Sequence, residues 1–349
     1  MDFSAVIIDW YAANRRELPW RDITDPYRIW LSEIILQQTQ VAQGYDYYLR
    51  FIRLFPTVDD LAAATEDVVL NAWQGLGYYS RARNLHAAAK HIVALGHFPS
   101  TYKEVRALKG VGDYTAAAIC SFAYGMPCAV VDGNVYRVLS RHFGVSTPID
   151  STAGKREFAA LARRLLDEKR PGLYNQAIMD FGAIQCTPRN PQCLCCPLTA
   201  TCLALHDGRI GELPVKSKRT AVVTRYFVYV FPTDGKQTLL RRRPAGDIWQ
   251  GLYEPPLLEF DAPPSDTEVL TAIGRLFPDS VTDIDCLSRR VKHVLTHRVL
   301  LVDFYKANVR PGTVLSGYQT VPLSVIDDYP VPRLVERLLQ ILFRSDSPC

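Results

Sequence analysis

The chain has 349 residues, of which 48% are hydrophobic and 22% are charged, and these proportions predict a globular protein with room for two domains, each with a core of its own. No apolar run reaches about 18 residues, and the N-terminal residues predict an amphipathic helix instead of a leader. We therefore expect a cytoplasmic protein without a membrane span. The formal net charge of +4 permits a polyanionic partner but does not require one.

Apolar residues recur at helical spacing through roughly the first 210 residues, and each periodic segment ends at a glycine, a proline or a polar run. No strand pattern interrupts these segments, so this part of the chain is predicted to be all-α. The predicted helices cover residues 5–16, 27–55, 57–75, 80–95, 102–109, 114–124, 134–143, 153–168 and 175–185.

The composition changes near Gly211, where a polar and basic segment predicts a linker over residues 209–221. Runs rich in Val, Tyr and Phe then predict strands over 221–232, 237–243 and 299–306, and helices are predicted over 267–277 and 332–343. The sequence therefore predicts an all-α domain over 1–208 and a smaller α/β domain over 222–349.

Two glycines flank one small apolar residue at Gly110, Val111 and Gly112, between two predicted helices. Glycine can adopt a positive φ and lets the backbone approach a partner closely. The amides that follow open a helix, and free N–H groups at the positive end of a helix dipole favour a phosphate. We interpret the segment as a helix-hairpin-helix that clamps a DNA strand. For this motif alone, an ordinary glycine-stopped helix is the alternative.

Two carboxylates lie in apolar surroundings. Glu33 is embedded in a predicted helix, and Asp132 follows the hairpin by about 20 residues. A buried carboxylate is either a partnered structural residue or an acid whose pKa is raised by desolvation. As a pair, the two groups could divide the work of breaking an N-glycosidic bond. One would protonate the leaving base, and the other would stabilise positive charge at the sugar C1′.

Five cysteines crowd into residues 186–202, and four of them have the spacing Cys186-x6-Cys193-x2-Cys196-x5-Cys202. In a reducing compartment such a cluster favours metal ligation over disulfides. The spacing itself does not distinguish tetrahedral zinc from a cubane iron–sulfur cluster. Cys195 is left over, and we interpret it as a loop cysteine without a role.

Two polar segments each have a structural and a functional interpretation. Gln38 and Thr39 lie in a polar run at a predicted helix end, which either is solvated or reads base edges. Residues 75–83 form either a turn with core aromatics or a wedge. In the wedge, Tyr78 stacks into DNA and Arg81 meets a phosphate.

Together these motifs resemble the endonuclease III superfamily of DNA glycosylases and, within it, the MutY family of A/G-mismatch adenine glycosylases. The resemblance rests on the hairpin, the cysteine spacing, residues 18–21, 31–41, 75–83 and 131–135, and the added C-terminal domain. It implies an all-α helix-hairpin-helix glycosylase domain with an iron–sulfur loop, followed by an α/β Nudix-like domain. The implied enzyme is a monofunctional glycosylase of base-excision repair that removes adenine mispaired with 8-oxoguanine or guanine from double-stranded DNA, as a monomer.

The resemblance also implies residue roles. Glu33 would protonate N7 of a flipped-out adenine, and Asp132 would stabilise the oxocarbenium-like sugar or bond to it briefly. Asn134 would orient Asp132 or the attacking water. Tyr114 stands where bifunctional relatives carry a Schiff-base lysine, which implies hydrolysis without strand cleavage. Cys186, Cys193, Cys196 and Cys202 would hold a 4Fe–4S cluster.

In the same way, Gln38 and Tyr78 would intercalate near the lesion. The segment Leu295, Thr296 and His297 lies where the family usually has the Phe-Ser-His that reaches 8-oxoguanine. Here threonine keeps a hydroxyl, but leucine cannot stack as phenylalanine would. The Nudix-like domain lacks the glutamate-rich metal box, so we expect it to bind and not to hydrolyse. The residues implied to line or border the adenine pocket are Arg16, Leu18, Trp20, Arg21, Trp30 and Gln176.

Three alternatives are weaker. An endonuclease III-type glycosylase/lyase lacks its lysine, because Tyr114 occupies that position. A non-catalytic DNA-binding module with structural zinc leaves Glu33 and Asp132 unexplained. A nucleotide pyrophosphohydrolase would need the metal box that the C-terminal half lacks.

Overall fold

The computed structural model describes residues 2–217 and 222–344. The predicted linker therefore lies partly outside the described residues, because 218–221 are not among them. Two structural units are present, one built from residues 2–63 and 84–217 and the other from 64–83 and 222–344. The segment 64–83, which the sequence assigns to the first domain, packs with the second unit in the structure.

Only helices and turns occur from residue 2 to residue 217, which confirms the all-α prediction for this part of the chain. In all the described residues, no helix is both long and apolar enough to span a membrane. The helices are α1 Phe3–Asn14, α2 Pro26–Leu36, α3 Val41–Leu54, α4 Val58–Ala63, α5 Glu66–Ala72, α6 Ser80–Leu95, α7 Tyr102–Ala107, α8 Asp113–Tyr124, α9 Gly133–Phe143, α10 Thr152–Leu165, α11 Pro171–Asp180 and α12 Leu203–His206.

Two predicted helices are broken in the structure. The prediction over 27–55 becomes α2 and α3, because Gln38 adopts a φ of +56°, which a right-handed helix does not allow. The prediction over 57–75 becomes α4 and α5, because Thr65 caps a new helix by accepting from the Val68 amide. The last predicted helix begins earlier, and α11 continues as a π-helical turn over Phe181–Gln185, an element that is frequent at functional sites.

The core of the first unit lies where α1, α8, α9, α10 and α11 pack together. Each helix presents an apolar face to this core, as its periodicity predicts. Phe158 of α10 and Phe181 after α11 are among its fully buried side chains. This packing positions the start of α8, the start of α9 and the end of α11, where the candidate site lies.

The second unit is built on a seven-stranded sheet with the central strand order β3-β2-β1-β6-β5, while β4 pairs with β1 and β7 with β2. β1 and β6 are parallel, whereas the other strand pairs are antiparallel. Two helices, α13 Asp266–Leu276 and α14 Arg333–Arg344, complete the unit. The strands are β1 Val223–Thr233, β2 Gln237–Arg242, β3 Tyr253–Glu254, β4 Leu257–Phe260, β5 Val281–Val294, β6 Arg298–Val309 and β7 Gln319–Pro322.

The central strand β1 is buried on both faces of this sheet. Phe227 and Tyr229 of β1 face a core that includes residues of α14, whereas Val228 and Val230 face a core that includes residues of α13. Alternate residues of a strand point to opposite faces of the sheet. A strand that is covered on both faces therefore has apolar residues at consecutive positions of its sequence. The α/β prediction for the second domain is confirmed. The structure adds the long strand β5, whose mostly exposed residues gave no such run.

Candidate active site and cysteine loop

The structure brings the four predicted catalytic residues together. A cavity of about 420 Å³ is lined by Glu33 from α2, Tyr114 from α8, and Asp132 and Asn134 at the start of α9. Thr39 also lines it, as do five of the six residues implied for the adenine pocket, namely Arg16, Leu18, Trp20, Arg21 and Gln176. Lining residues that the sequence did not single out are Leu36, Gln40, Val41, Phe122, Arg137, Met179, Ala183 and Pro188.

Trp30, the sixth residue implied for the pocket, does not line the cavity. Its side chain is fully buried, and its ring packs against Phe98 and Tyr27 in the protein interior. The apolar sequence around Trp30 fits this core position as well as it fits a pocket wall. Trp30 thus does not form part of the cavity wall, and it helps to pack the helix that carries Glu33.

Glu33 is buried within the apolar residues of α2, with 6% of its surface exposed. Burial raises the pKa of Glu33 to about 7, and the nearby charge of Asp132 adds to the rise. A hydrogen bond with Tyr114 and the charge of Arg21 act in the opposite direction. A carboxyl group with this pKa is about half protonated at pH 7, so Glu33 can act as a general acid near neutral pH.

Asp132 caps α9 and is held by two hydrogen bonds. Its Oδ1 accepts from the Val135 amide at 2.7 Å, and its Oδ2 accepts from the Asn134 Nδ2 at 2.8 Å. Burial raises the pKa of Asp132, whereas these two hydrogen bonds lower it by favouring the ionised form. The carboxylate therefore has a fixed position on the cavity wall.

Arg137 connects this carboxylate to the cysteine loop. Its guanidinium donates to the Asn134 Oδ1 at 2.8 Å and to the backbone carbonyl of Cys186 at 2.7 Å, and it also donates to the Gly182 carbonyl. A side chain on Gly182 would place its Cβ 2.7 Å from the Asn134 Cβ, so this close approach requires glycine. The sequence did not single out Arg137, although an arginine at i+3 from Asn134 on a helix was within reach of it.

Asp180 is a further residue of the site that the sequence analysis missed. Its side chain is fully buried, and it accepts from the Arg16 backbone amide at 3.2 Å, from the Arg16 guanidinium and from Arg21 Nη2 at 3.1 Å. Asp180 therefore holds two cationic side chains on the cavity wall. The signal for it was present, because Asp180 ends an apolar helix just as Glu33 lies within one.

Tyr114 is located between the carboxylates and the sulfur of Met179, with its hydroxyl 3.9 Å from Sδ. Burial raises the pKa of Tyr114 well above its usual value, and Glu33 and Asp132 add to the rise. The phenol therefore stays neutral and can act only as a hydrogen-bond donor or acceptor. Within the described part of the chain, none of the residues that line the cavity is a lysine.

The hairpin has the predicted form. α7 ends at Ala107 and α8 begins at Asp113. Gly110 has a φ of +84°, and a Cβ there would lie 2.9 Å from the Asn84 Cβ. Gly112 is the N-cap of α8 and supplies no side-chain cap, while the Val111 side chain is buried. The hairpin therefore offers backbone amides, and not side chains, to a ligand.

Three residues predicted to contact DNA, Gln38, Tyr78 and Arg81, differ in how exposed their side chains are. Gln38 is exposed and lies at the break between α2 and α3. Tyr78 is 47% exposed, has a φ of +46° and forms a hydrogen bond with the Thr296 hydroxyl. Arg81 is buried, and its guanidinium lies over the Trp73 ring at 5.0 Å. The structure thus places the Arg81 charge within its own loop, and its contact with a phosphate stays a prediction.

The segment predicted to read 8-oxoguanine is a tight turn between β5 and β6. The Leu295 amide donates to the Arg298 carbonyl at 2.8 Å, and the Leu295 side chain packs against the core of the second unit. Thr296 and His297 are exposed at the tip. The turn therefore presents a hydroxyl and an imidazole outward, while its leucine faces inward.

The four predicted cysteine ligands lie close enough together for the charge of one to affect the pKa of another. Burial raises the pKa values of Cys193, Cys202 and Cys196, the last to about 11, and a charge on Cys186 raises each of them further. The backbone carbonyls of Thr187 and Pro188 accept from Arg141, whose Nη1 also lies 3.5 Å from the Cys186 sulfur. The donor set, four thiols with an arginine beside them, fits a group that takes four thiolates.

The fifth cysteine is directed elsewhere. Cys195 is exposed, and its thiol lies 3.6 Å from the Gln192 carbonyl. This position agrees with its interpretation as a loop residue. Across residues 2–217 and 222–344, no three or more His, Cys, Asp or Glu side chains are arranged around a common point for a single metal ion.

Comparison with known families agrees with the fold. The HhH-GPD superfamily of base excision DNA repair proteins matches residues 31–164, and the NUDIX domain matches residues 226–340. A solved structure of a thermostable thymine-DNA glycosylase has a TM-score of 0.55 and 30% identity, over 59% of this chain and 95% of that one. The helical unit thus has the architecture of the helix-hairpin-helix base-excision repair proteins.

Sequence relatives narrow the family further. An adenine DNA glycosylase of Buchnera aphidicola subsp. Baizongia pistaciae (strain Bp) is 35% identical over 260 residues, which cover 72% of this chain and 72% of the relative. The chain belongs to the adenine DNA glycosylase family, the MutY family. An adenine DNA glycosylase of Mus musculus is 41% identical over 222 residues, and the match covers 60% of this chain and 43% of the mouse protein. The chain thus spans less than half the length of that relative.

Proposed function

We propose that this protein is a monofunctional DNA glycosylase that hydrolyses the N-glycosidic bond of adenine mispaired with 8-oxoguanine or guanine. The observation that carries the proposal is the pairing of a protonated Glu33 with an anchored Asp132 on the wall of one cavity. A base flipped out of a duplex would occupy this cavity. The names of the relatives, adenine DNA glycosylases, support adenine as that base.

The two carboxyl groups would have different tasks. Glu33, protonated near neutral pH, would donate its proton to N7 of adenine, so that the base leaves as a neutral molecule. The Asp132 carboxylate would stabilise the positive charge that develops at C1′, or bond to it briefly, before water attacks. Asn134 would keep Asp132 in place through its 2.8 Å hydrogen bond.

Tyr114 and the absence of a lysine from the described cavity wall support hydrolysis over imine chemistry. A glycosylase that also cleaves the strand needs an amine to attack C1′. A phenol held neutral among two carboxyl groups is a poor substitute for it. The alternative assignment as a glycosylase/lyase is correspondingly weaker.

The proposed partner is duplex DNA that contains the mispair, bound by the exposed parts of each unit. The uncapped amides at the start of α8 would take a phosphate. Gln38 and Tyr78, exposed at strained backbone positions, would enter the base stack near the lesion. The Thr296 hydroxyl would accept the N7–H that distinguishes 8-oxoguanine from guanine.

The proposed cofactor is a 4Fe–4S cluster held by Cys186, Cys193, Cys196 and Cys202. When bound, it would cross-link the loop through four iron–thiolate bonds, with every ligand supplied by the protein. The chain itself fastens this loop to the catalytic helix, because Arg137 and Arg141 of α9 donate to backbone carbonyls of residues 186–188. The loop and Asp132 are therefore connected through one helix.

The proposal is tested by single-turnover reaction of a duplex with one adenine opposite 8-oxoguanine, assayed with and without alkali. The matched duplexes carry adenine opposite guanine and opposite thymine. We expect strand breakage only after alkali and only at the two mispairs. Breakage without alkali would indicate a lyase, whereas tight binding without adenine release would leave only a DNA-binding function.

A further inference from the structure

The turn that carries Thr296 is closed by backbone hydrogen bonds between Leu295 and Arg298. The Arg298 side chain forms an ion pair across 51 residues of sequence, with its Nη1 at 3.1 Å from the Asp247 Oδ1. Asp247 lies in the β2–β3 loop, which is residues 243–252 of the second unit. The mechanism above uses neither Asp247 nor this loop.

We propose that the β2–β3 loop fixes the lesion-reading turn, and that Asp247 is the positioning residue through which it does so. A threonine hydroxyl can both donate and accept a hydrogen bond. The position of the Thr296 hydroxyl, and not its type, must therefore distinguish the N7–H of 8-oxoguanine from the unprotonated N7 of guanine. The inference rests on the proposed function and deepens it, because it names what sets the preference between the two mispairs.

Asp247 is itself held by arginines of two strands. Arg225 of β1 donates to the Asp247 Oδ1 at 2.7 Å and to the Oδ2 at 2.9 Å, and the Arg243 Nη2 donates to the Oδ2 at 2.9 Å. Burial raises the pKa of Asp247, but the hydrogen bonds from Arg225 outweigh burial and lower the pKa to about 2. The carboxylate is therefore charged throughout the neutral pH range and can hold Arg298 there.

The ion network beneath Asp247 reaches the core of the second unit. Arg243 is 6% exposed, and its guanidinium pairs with Glu254, which is fully buried. Glu254 also accepts from the Tyr229 hydroxyl at 3.1 Å and from the Arg241 Nε at 3.0 Å. Separating a buried charge from its partners is costly. The β2–β3 loop therefore has a defined position from which Asp247 can act.

The loop also contacts the other strand that flanks the turn. The centroids of the Trp249 ring and the His293 ring of β5 lie 6.0 Å apart. Ile248, Trp249 and Leu295 pack against the same apolar core. The loop thus meets β6 through an ion pair and β5 through a ring contact. Recognition by a hydrogen bond requires groups that are held to within about 0.5 Å, and contacts with both strands restrict the turn more than one contact would.

The test compares single-turnover excision of adenine opposite 8-oxoguanine with excision of adenine opposite guanine, by the full chain. Asp247→Asn should lower the ratio of the two rates by roughly two- to tenfold, the effect of one hydrogen bond. The rate opposite guanine should stay within about twofold of the wild type, because no lesion contact is lost there. A purely structural role for Asp247 would lower both rates alike.

Glu259→Gln is the matched control. Glu259 also accepts from Arg225, at 2.7 Å, but among the described residues it forms no ion pair with Arg298. The variant removes a negative charge from the same arginine and should leave the ratio unchanged. In a Thr296→Ala background, Asp247→Asn should have no further effect on the ratio, because the hydroxyl that it positions is gone.

Arg298→Met removes the same ion pair from the side of the turn. The Arg298 side chain is 36% exposed, so its replacement leaves the buried part of the network in place. This variant should narrow the ratio as Asp247→Asn does, and it decides the question even where Asp247→Asn folds poorly.

An unchanged ratio in both Asp247→Asn and Arg298→Met would overturn the inference alone. An equal effect of Glu259→Gln, or an equal effect of Asp247→Asn with and without the Thr296 hydroxyl, would do the same. Failure of the wild-type protein to release adenine would overturn the proposed function and this inference with it. Equal wild-type rates opposite the two bases would overturn lesion reading and the inference together. The failures are distinguishable because only the last two concern the wild-type protein.

Discussion

Replacing Glu33 by Gln should abolish adenine excision. It should also make the folded protein more stable than the wild type at pH 8. The amide has the shape of the carboxylic acid but has no acidic proton for N7, so we expect the single-turnover rate to fall by at least about a hundredfold. In the wild type, a pKa of about 7 predicts that the protonated fraction of Glu33 falls from about 90% near pH 6 to about 10% near pH 8. The rate should fall about tenfold over that interval.

Glu33→Gln is expected to lower the excision rate but to raise the free energy of unfolding above pH 7. Burial raises the pKa of Glu33 from 4.5 to about 7, so the folded state holds the proton more tightly than the unfolded chain. The free energy of unfolding therefore declines as the pH rises from about 4.5 to 7. At about 1.4 kcal/mol for each tenfold change in proton affinity, the total is about 3 kcal/mol. Glu33→Gln removes this loss, because an amide does not ionise.

Urea titrations of both proteins at pH 4.5 and pH 8, together with excision rates from pH 6 to pH 8, test the reasoning. The variant should match the wild type at the lower pH and exceed it by up to about 3 kcal/mol at the higher one. A filter-binding control should show that Glu33→Gln still binds mispaired DNA. Retained excision would refute the role of Glu33 as the acid. A stability difference that is the same at both pH values would refute its buried proton.

Other predictions concern the supports of the site. Asp180→Asn should lower the free energy of unfolding by about 3 kcal/mol in urea titration, because two guanidinium groups lose a buried counter-ion, and a loss below about 1 kcal/mol would argue against that pairing. Cys195→Ser should leave the iron content and visible absorption of the purified protein unchanged, whereas Cys196→Ser should abolish both; equal losses would make Cys195 a ligand. Thr296→Ala should narrow the preference for adenine opposite 8-oxoguanine over adenine opposite guanine by roughly two- to tenfold in single-turnover rates, and an unchanged preference would remove Thr296 from lesion reading.

Much of the fold was predictable because local patterns carry it. The helices before the linker follow from apolar residues at helical spacing, and α9 ends at Phe143, where Gly144 predicts. The strand β1 follows from a continuous apolar run that is buried on both faces. The break at Gln38 was missed because apolar residues recur at helical spacing on both sides of the polar run that contains it, and β5 was missed because most of its residues are exposed.

The candidate site was predictable only where a residue violates its local pattern. Glu33 in an apolar helix and the spacing of the four cysteines are violations of that kind. In the structure Glu33 lines the cavity, and Cys196 lies close enough to the other three cysteines for their charges to raise its pKa. Trp30 and Arg81 do not violate their local pattern, so the sequence could not place them. A tryptophan in an apolar helix and an arginine near aromatic residues suit a core or a binding surface equally well, and packing placed both in the interior.

The sequence by itself determined the all-α and α/β character of the two parts of the chain, the hairpin, the spacing of the four cysteines and the presence of two carboxylates in apolar surroundings, because each of these depends on neighbours within a few turns of chain. Only the tertiary structure decided that Asp180 holds Arg16 across 164 residues and that Tyr11 holds Gln176 across 165. It also decided that Arg137 joins Asn134 to the cysteine loop. These contacts depend on where helices cross, and helix crossing is set by the packing of whole apolar faces.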